Sequence, residues 1–204
     1  MPHACVASAS ADSVMLEVET LAALQQSIHR KGVTTVTATR GSEGILSDAN
    51  KAKREEIIEL LKTAYWMEIE TVMSYITNSV NPDGVRAQEI IEALEQDIQE
   101  ELGHAQAFAQ RIKELYGVVP GSMEFKPQQS YLQPPSTQTD IVHVIKGVIE
   151  AEAGGISHYL KIIEATDGVD WVTQDMVIGI LKDEEGHKRL FEGFLREFEA
   201  EGKA

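Results

Sequence analysis

Two copies of one short motif constrain this chain more than any other feature: Glu101-Leu102-Gly103-His104 and Glu184-Glu185-Gly186-His187. In each copy a glutamate and a histidine stand three residues apart within a long helix-forming run, so both side chains leave the same helical face one turn apart. A pair placed in this way is a two-armed fork for a metal ion. A lone glutamate precedes each fork, Glu68 by 33 residues before Glu101 and Glu152 by 32 before Glu184. Neighbouring residues keep the register. Tyr75 and Tyr159 follow the lone glutamates by seven residues, and Phe108 and Phe191 follow the fork glutamates by seven. The chain therefore reads as a duplicated helical hairpin.

The periodicity on either side of these residues sets out the helices. Ser47-Asp48 opens a first helix that runs to about Val80, where Asn81-Pro82-Asp83-Gly84 stops it. Its apolar stripe of Ile57, Leu61, Ala64, Tyr65, Val72 and Tyr75 is interrupted by one acid, Glu68. Glu70 falls on a different face and is the alternative to it. Asp83 is expected to cap a second helix, whose seam of Ile90, Leu94, Ile98, Glu101, His104, Phe108 and Ile112 ends at Gly117. The stretch from Gly117 to Thr139 holds Pro120, Pro127, Pro134 and Pro135 and cannot be helical throughout. A link of that length suits a crossover running along a bundle. Thr139 or Asp140 is expected to cap the third helix, with Ile141, Ile145, Val148, Glu152, Ile156, Tyr159 and Ile163 on its seam. Glu150, the alternative to Glu152, shares a face with Lys146 and Lys161 and is expected to be solvated; His143 and His158 are expected at the surface. After the turn at Asp167-Gly168 a fourth helix carries Val177, Ile180, Glu184, His187, Phe191 and Leu195.

The expected architecture is all-α: an antiparallel four-helix bundle over residues 47–204, with a long crossover between helices 2 and 3. Residues 1–46 are expected to form an appendage, with a disordered start, a short amphipathic helix from Asp12 to Arg30 and a β-branched arm from Thr34 to Thr39. A homo-oligomer, dimer or larger, is expected.

A formal net charge of −15 argues against nucleic acid or an anionic membrane as partner, since both call for basic patches, and it favours the approach of cations. The single cysteine, Cys5, rules out an internal disulfide and a four-cysteine metal centre. The sequence holds no apolar run long enough to cross a bilayer, and residues 1–11 lack the basic start and apolar centre of a secretory signal, so a cytoplasmic location is expected.

Four carboxylates buried at similar heights in an apolar bundle repel one another and lose hydration, at a cost of roughly several kcal/mol per uncompensated ion. Two adjacent divalent cations remove that cost with direct bonds. Oxygen donors with one imidazole per ion suit iron or manganese, and glutamates bridge two ions held about 3.5–4 Å apart. The expected metal-binding and catalytic set is Glu68, Glu101, His104, Glu152, Glu184 and His187. Glu68 is expected to be terminal on one metal with His104. Glu184 or Glu152 is expected to be terminal on the other with His187, and the remaining glutamates to bridge.

This pattern resembles the ferritin-like di-iron superfamily, in particular bacterioferritins and the diiron domain of rubrerythrins, over about Asp48 to Glu201. The resemblance implies two iron ions, oxidation of Fe(II) by O2 or H2O2, an external electron donor, and in many members iron storage or detoxification. It makes Glu101 and Glu152 the bridging carboxylates, and it matches Glu100 and Asp183 to groups that orient the histidine of the opposite fork. Leu102 stands where bacterioferritins place a haem-binding methionine, so haem is not expected. Gly155 stands where rubrerythrins carry an extra glutamate, and the cysteines of a rubredoxin module are absent, so peroxidase activity with an in-chain donor is not expected. The alternatives are a dimanganese catalase-like enzyme and a bundle that binds metal or a partner without turnover.

Overall fold

A computed structural model describes residues 43–202. The expected N-terminal helix and arm lie outside the described residues. Among the described residues there are four long helices and no strand: α1 (Lys51–Val80), α2 (Gln88–Glu114), α3 (Ile141–Thr166) and α4 (Trp171–Ala200).

Each helix begins and ends where local chemistry dictates. A single 3-10 turn at Asp48–Asn50 leads into α1, and Arg54, buried on its first turns, ties the entering chain down by donating to the carbonyls of Ile45 and Ser47, both at 2.9 Å. Ile45 itself lies in the core, so residues immediately before the expected bundle boundary pack with it. Asp140 caps α3 by accepting from the backbone N–H of His143, and Asp170 caps α4 by accepting from Thr173. Asp83 does not cap α2, as its sequence position suggested. The helix starts four residues later, with Ala87 at its cap position, and the backbone N–H of Asp83 instead donates to the carbonyl of Gln138 at 2.9 Å. Non-local pairing with the end of the crossover overrides the local capping signal.

The C-terminus of α2 has the double hydrogen bond of a Schellman motif: Gly117 N–H donates to Ile112 at 2.8 Å, and Tyr116 N–H donates to Lys113 at 3.1 Å. The left-handed residue is Tyr116 (φ 66°) rather than a glycine. Gly117 is needed for space, because a Cβ there would lie 2.9 Å from the carbonyl oxygen of Ile112.

α1 pairs with α2 and α3 with α4, and the hairpins meet chiefly through α1 against α3. These two run antiparallel: the chain after α1 meets the chain before α3 at Asp83 and Gln138, and His158 near the end of α3 reaches the carbonyl of Leu60 near the start of α1, at 2.8 Å. His158 is thus buried, not at the surface, because α1 covers the face its sequence neighbours left open. α2 and α4 close the other side, where buried Arg111 donates to Thr173 and Asp170, both at 2.7 Å.

The long link between α2 and α3 crosses the α1–α3 groove. Glu70 accepts backbone N–H bonds from Gln128 and Gln129 at 2.7–2.9 Å, and Asn78 donates to the carbonyl of Leu132 at 2.9 Å. On α3 the link comes so close that a Cβ on Gly147 would sit 2.7 Å from the carbonyl oxygen of Tyr131. Two apolar clusters fill the bundle, one around Ile57, Leu61, Phe108 and Ile112, the other around Tyr75, Leu94, Ile145 and Phe191. The polar residues that interrupt the four seams lie along the same inner faces.

Candidate metal centre

Each helix contributes to the interior what its register requires. α1 sends in Glu68 and α3 Glu152; α2 sends in Glu101 and His104, and α4 Glu184 and His187. All six are buried, the carboxylates at 0–3% relative exposure and both histidines at 8%. They form two overlapping groups. Glu68, Glu101, His104 and Glu184 offer ligand atoms within 4.8 Å of one another, and so do Glu101, Glu152, Glu184 and His187.

Glu101 and Glu184 are common to both groups, while Glu68 and Glu152 belong to one each. The two groups therefore share the fork glutamates, which matches the alternative with Glu152 rather than Glu184 terminal beside His187; matching to the family pattern implied Glu101 and Glu152 as the bridging pair. The cause is the packing order: α2 faces α4 across one side of the bundle and α1 faces α3 across the other, so the forks meet each other and each lone acid meets one end of the pair.

Both histidines turn Nδ1 inward and Nε2 outward. His104 Nδ1 lies 3.2 Å from Glu101 and 3.2 Å from Glu184, and His187 Nδ1 lies 3.4 Å from Glu101. On the outer side, His187 Nε2 is 3.1 Å from Glu100 and His104 Nε2 is 3.7 Å from Asp183, so each imidazole is oriented by an acid from the opposite hairpin's fork. Asp97, which the sequence reading passed over, also approaches His187 Nε2, at 3.7 Å. Its signal was present, since it stands one turn before Glu101 on the same face.

The two seam tyrosines cross between hairpins. Tyr75 of α1 donates to Glu152 of α3, and Tyr159 of α3 donates to Glu68 of α1. Each lone carboxylate is thereby fixed by the phenol that its own helix does not carry. Glu70 and Glu150, the alternatives, stay outside the cluster. Glu70 is engaged by the crossover, and Glu150 is exposed. Gln129, carried on the crossover, joins Glu68, Glu101, Glu152 and Glu184 in lining a cavity of about 10 Å³.

Burial, followed by repulsion from the neighbouring acids, pushes the carboxyls of Glu68 and Glu152 well above the usual carboxylate range. Burial also acts against charge on Glu101, but the two histidines beside it, His104 hydrogen-bonded to Oε2 and His187 3.4 Å from Oε1, outweigh it and hold Glu101 down at about 2. For the histidines, burial favours the neutral ring, yet the surrounding carboxylates prevail and raise His104 to about 10 and His187 to about 9. Desolvation lifts Asp97 to about 6 despite the nearby His187. The metal-free cluster thus gathers protons to offset its acids.

Even so, its polar atoms are not all satisfied. Glu101 Oε1, Glu184 Oε1, His187 Nδ1 and Asp97 Oδ2 are buried and have no hydrogen-bond partner among the described residues. Unpaired buried polar atoms of this kind are costly, and three of the four belong to the ligand groups themselves. Four carboxylates and two imidazole nitrogens suit hard or borderline divalent cations; Glu68 and His104 could hold one and Glu152 and His187 another, with Glu101 and Glu184 common to both groups.

Helix order, crossover and buried cluster together define an all-α bundle of the carboxylate–histidine class. The ferritin-like domain model matches residues 58–200, and the chain belongs to that family. A DNA protection during starvation protein from Pyrococcus furiosus is 31% identical over 146 residues, covering 69% of this chain and 77% of that protein. Solved structures share the fold. A dodecameric thioferritin, the bacterioferritin-related protein of Bacteroides fragilis, superposes with a TM-score of 0.63 at 24% identity, covering 74% of this chain and 90% of that one. The bacterioferritin of Desulfovibrio desulfuricans, with its diiron site, gives 0.63 at 22%, covering 74% and 84%. A ferritin-like diiron-carboxylate protein from Bacillus anthracis gives 0.60 at 21%, covering 70% and 97%. No helix among the described residues is long and apolar enough to cross a membrane.

Proposed function

We propose that the protein binds two ferrous ions per chain at Glu68, Glu101, His104, Glu152, Glu184 and His187 and oxidises them with O2 or H2O2. The observation that carries this reading is the pair of overlapping four-ligand groups sharing Glu101 and Glu184. Two metal positions joined by common carboxylates allow two one-electron oxidations to be coupled to one two-electron reduction of the oxidant. With H2O2 the balance is closed: two Fe(II) and two protons yield two Fe(III) and two waters.

The chain's own residues supply the rest. Glu101 and Glu184, common to both ligand groups, would hold the two ions side by side. Tyr75 and Tyr159 keep Glu152 and Glu68 in position to bind them. The outer acids Glu100 and Asp183 orient the imidazoles of His187 and His104 and would strengthen them as donors to a bound cation. Removing Fe(II) and peroxide together suppresses the chemistry by which they damage nucleic acid. That agrees with the name of the Pyrococcus furiosus relative and needs no contact with DNA, which a net charge of −15 disfavours.

The test is aerobic addition of Fe(II) to purified, metal-free protein, following Fe(III) absorbance and oxidant consumption. Rapid oxidation after binding of two equivalents is expected for wild type. If a Glu101→Ala, Glu184→Ala double variant oxidises iron as fast, the proposal is wrong.

A further inference from the structure

The two hairpins repeat one ligand register, and one of the positions at which they differ lies against the candidate metal centre. At the outer side of His104 stands one acid, Asp183, 3.7 Å away with its side chain 43% exposed. At the outer side of His187 stand two. Glu100 lies 3.1 Å away and is comparably exposed at 42%, and Asp97 lies 3.7 Å away with its side chain only 5% exposed. The offset that carries Glu101 onto Glu184 and His104 onto His187 carries Asp97 onto Ile180, an apolar residue that is itself buried. An apolar side chain therefore serves the packing at this position. The acid in the first hairpin calls for a separate explanation.

A carboxyl so thoroughly buried is costly to place, and Asp97 Oδ2 finds no hydrogen-bond partner among the described residues. The exposed acids Glu100 and Asp183 are screened by solvent and roughly balance each other across the centre. Asp97 is shielded from water, so its charge reaches the neighbouring site with little attenuation. Its nearest positively polarised neighbour is the Nε2–H of His187, whose other nitrogen faces the site. A carboxylate behind a ligating imidazole makes the ring a stronger donor and adds direct attraction for a cation bound on its far side.

We propose that Asp97 is a positioning residue that makes the two metal positions unequal, so that the one formed by Glu152 and His187 binds a divalent cation more tightly and fills first. The proposal rests on the two-metal reading above. It adds an order of filling, which that reading does not require.

The experiment uses the full chain, stripped of metal, and redox-inert Mn(II), so that binding is read without oxidation. Calorimetric titration of wild type is expected to show two steps per chain, separated by about tenfold or more in affinity, the range over which second partners of metal ligands act. Crystals soaked with one equivalent of Mn(II) are expected to place the anomalous peak at Glu152 and His187. In Asp97→Asn, which preserves size, the tight step is expected to weaken by about 10–100-fold and the two peaks to become comparable. The inference is overturned if one-equivalent wild-type crystals show equal occupancy or a peak at Glu68 and His104. It is also overturned if the asparagine variant keeps the wild-type order and spacing. Absence of any Mn(II) or Fe(II) binding would instead overturn the two-metal reading itself, and the titration separates these outcomes. The wild-type crystal decides the matter even if the variant fails to fold.

Discussion

Tyr75→Phe isolates one contact that joins the two hairpins at the centre. The ring of Tyr75 is fully buried and its hydroxyl donates to Glu152, itself 2% exposed. Phenylalanine retains the packing of the ring and removes only the donor. The nearby cavity, about 10 Å³, is at the lower limit for a single water, so solvent is poorly placed to replace the lost bond. A buried acceptor deprived of its partner costs about 1–3 kcal/mol. For a domain of this size each kcal/mol moves the midpoint by about 2–4 °C, so the metal-free variant is expected to melt about 2–12 °C below wild type. Glu152 would also be free to turn, and the Mn(II) affinity of the position it shares with His187 is expected to fall by about 10–100-fold. Calorimetric melting in chelator and Mn(II) titration measure the two effects. If Tyr75→Phe melts within about 0.5 kcal/mol of wild type, the value usual for an inconsequential surface change, and binds metal normally, the phenol is packing alone and the crossed bracing has no role.

Three further outcomes follow from the structure. Glu70→Gln removes the carboxylate that receives the Gln128 and Gln129 N–H groups; a loss of about 2 kcal/mol is expected, with faster hydrogen exchange confined to those amides and their neighbours. Gly147→Ala is expected to destabilise by about 1–3 kcal/mol in chemical denaturation, because its Cβ would meet the Tyr131 carbonyl at 2.7 Å, whereas Gly179→Ala, with nothing within 4 Å, is expected to stabilise α4 by about 0.5–1 kcal/mol. In the metal-free protein, His104 and His187 hold protons up to about 10 and about 9, against an ordinary 6.5. The folded state then binds more protons than the unfolded one between these values. The stability contributed by these histidines is fully present below pH 6.5 and is expected to decline as pH rises through 9 to 10, a slope that saturating Mn(II) should abolish.

Much of this was legible in the sequence, for reasons that differ by element. Asn81-Pro82-Asp83-Gly84 and Asp167-Gly168 break helices through backbone restrictions that need no tertiary partner, and the structure turns at both. Glu68 and Glu152 stood out because each is a lone acid in an apolar stripe, a local property. What failed depended on partners far along the chain. His158 is covered by α1 from 98 residues away, and Asp83 is taken up by Gln138 at the end of a crossover whose path a proline-rich sequence does not specify. Which glutamates are shared depends on which helices oppose across the bundle, and spacing along the chain carries no such information.

The crossed tyrosines have a consequence for how such a centre could be assembled from smaller pieces. A lone hairpin would possess one fork, one unbraced carboxylate and one phenol without its acceptor; only a second hairpin, related by a half-turn, could satisfy both. Two separate but identical hairpins would be forced to carry aspartate at both of the positions now held by Asp97 and Ile180, or at neither. Covalent fusion lifts that restriction, and it is what permits a symmetric scaffold to enclose two unlike halves.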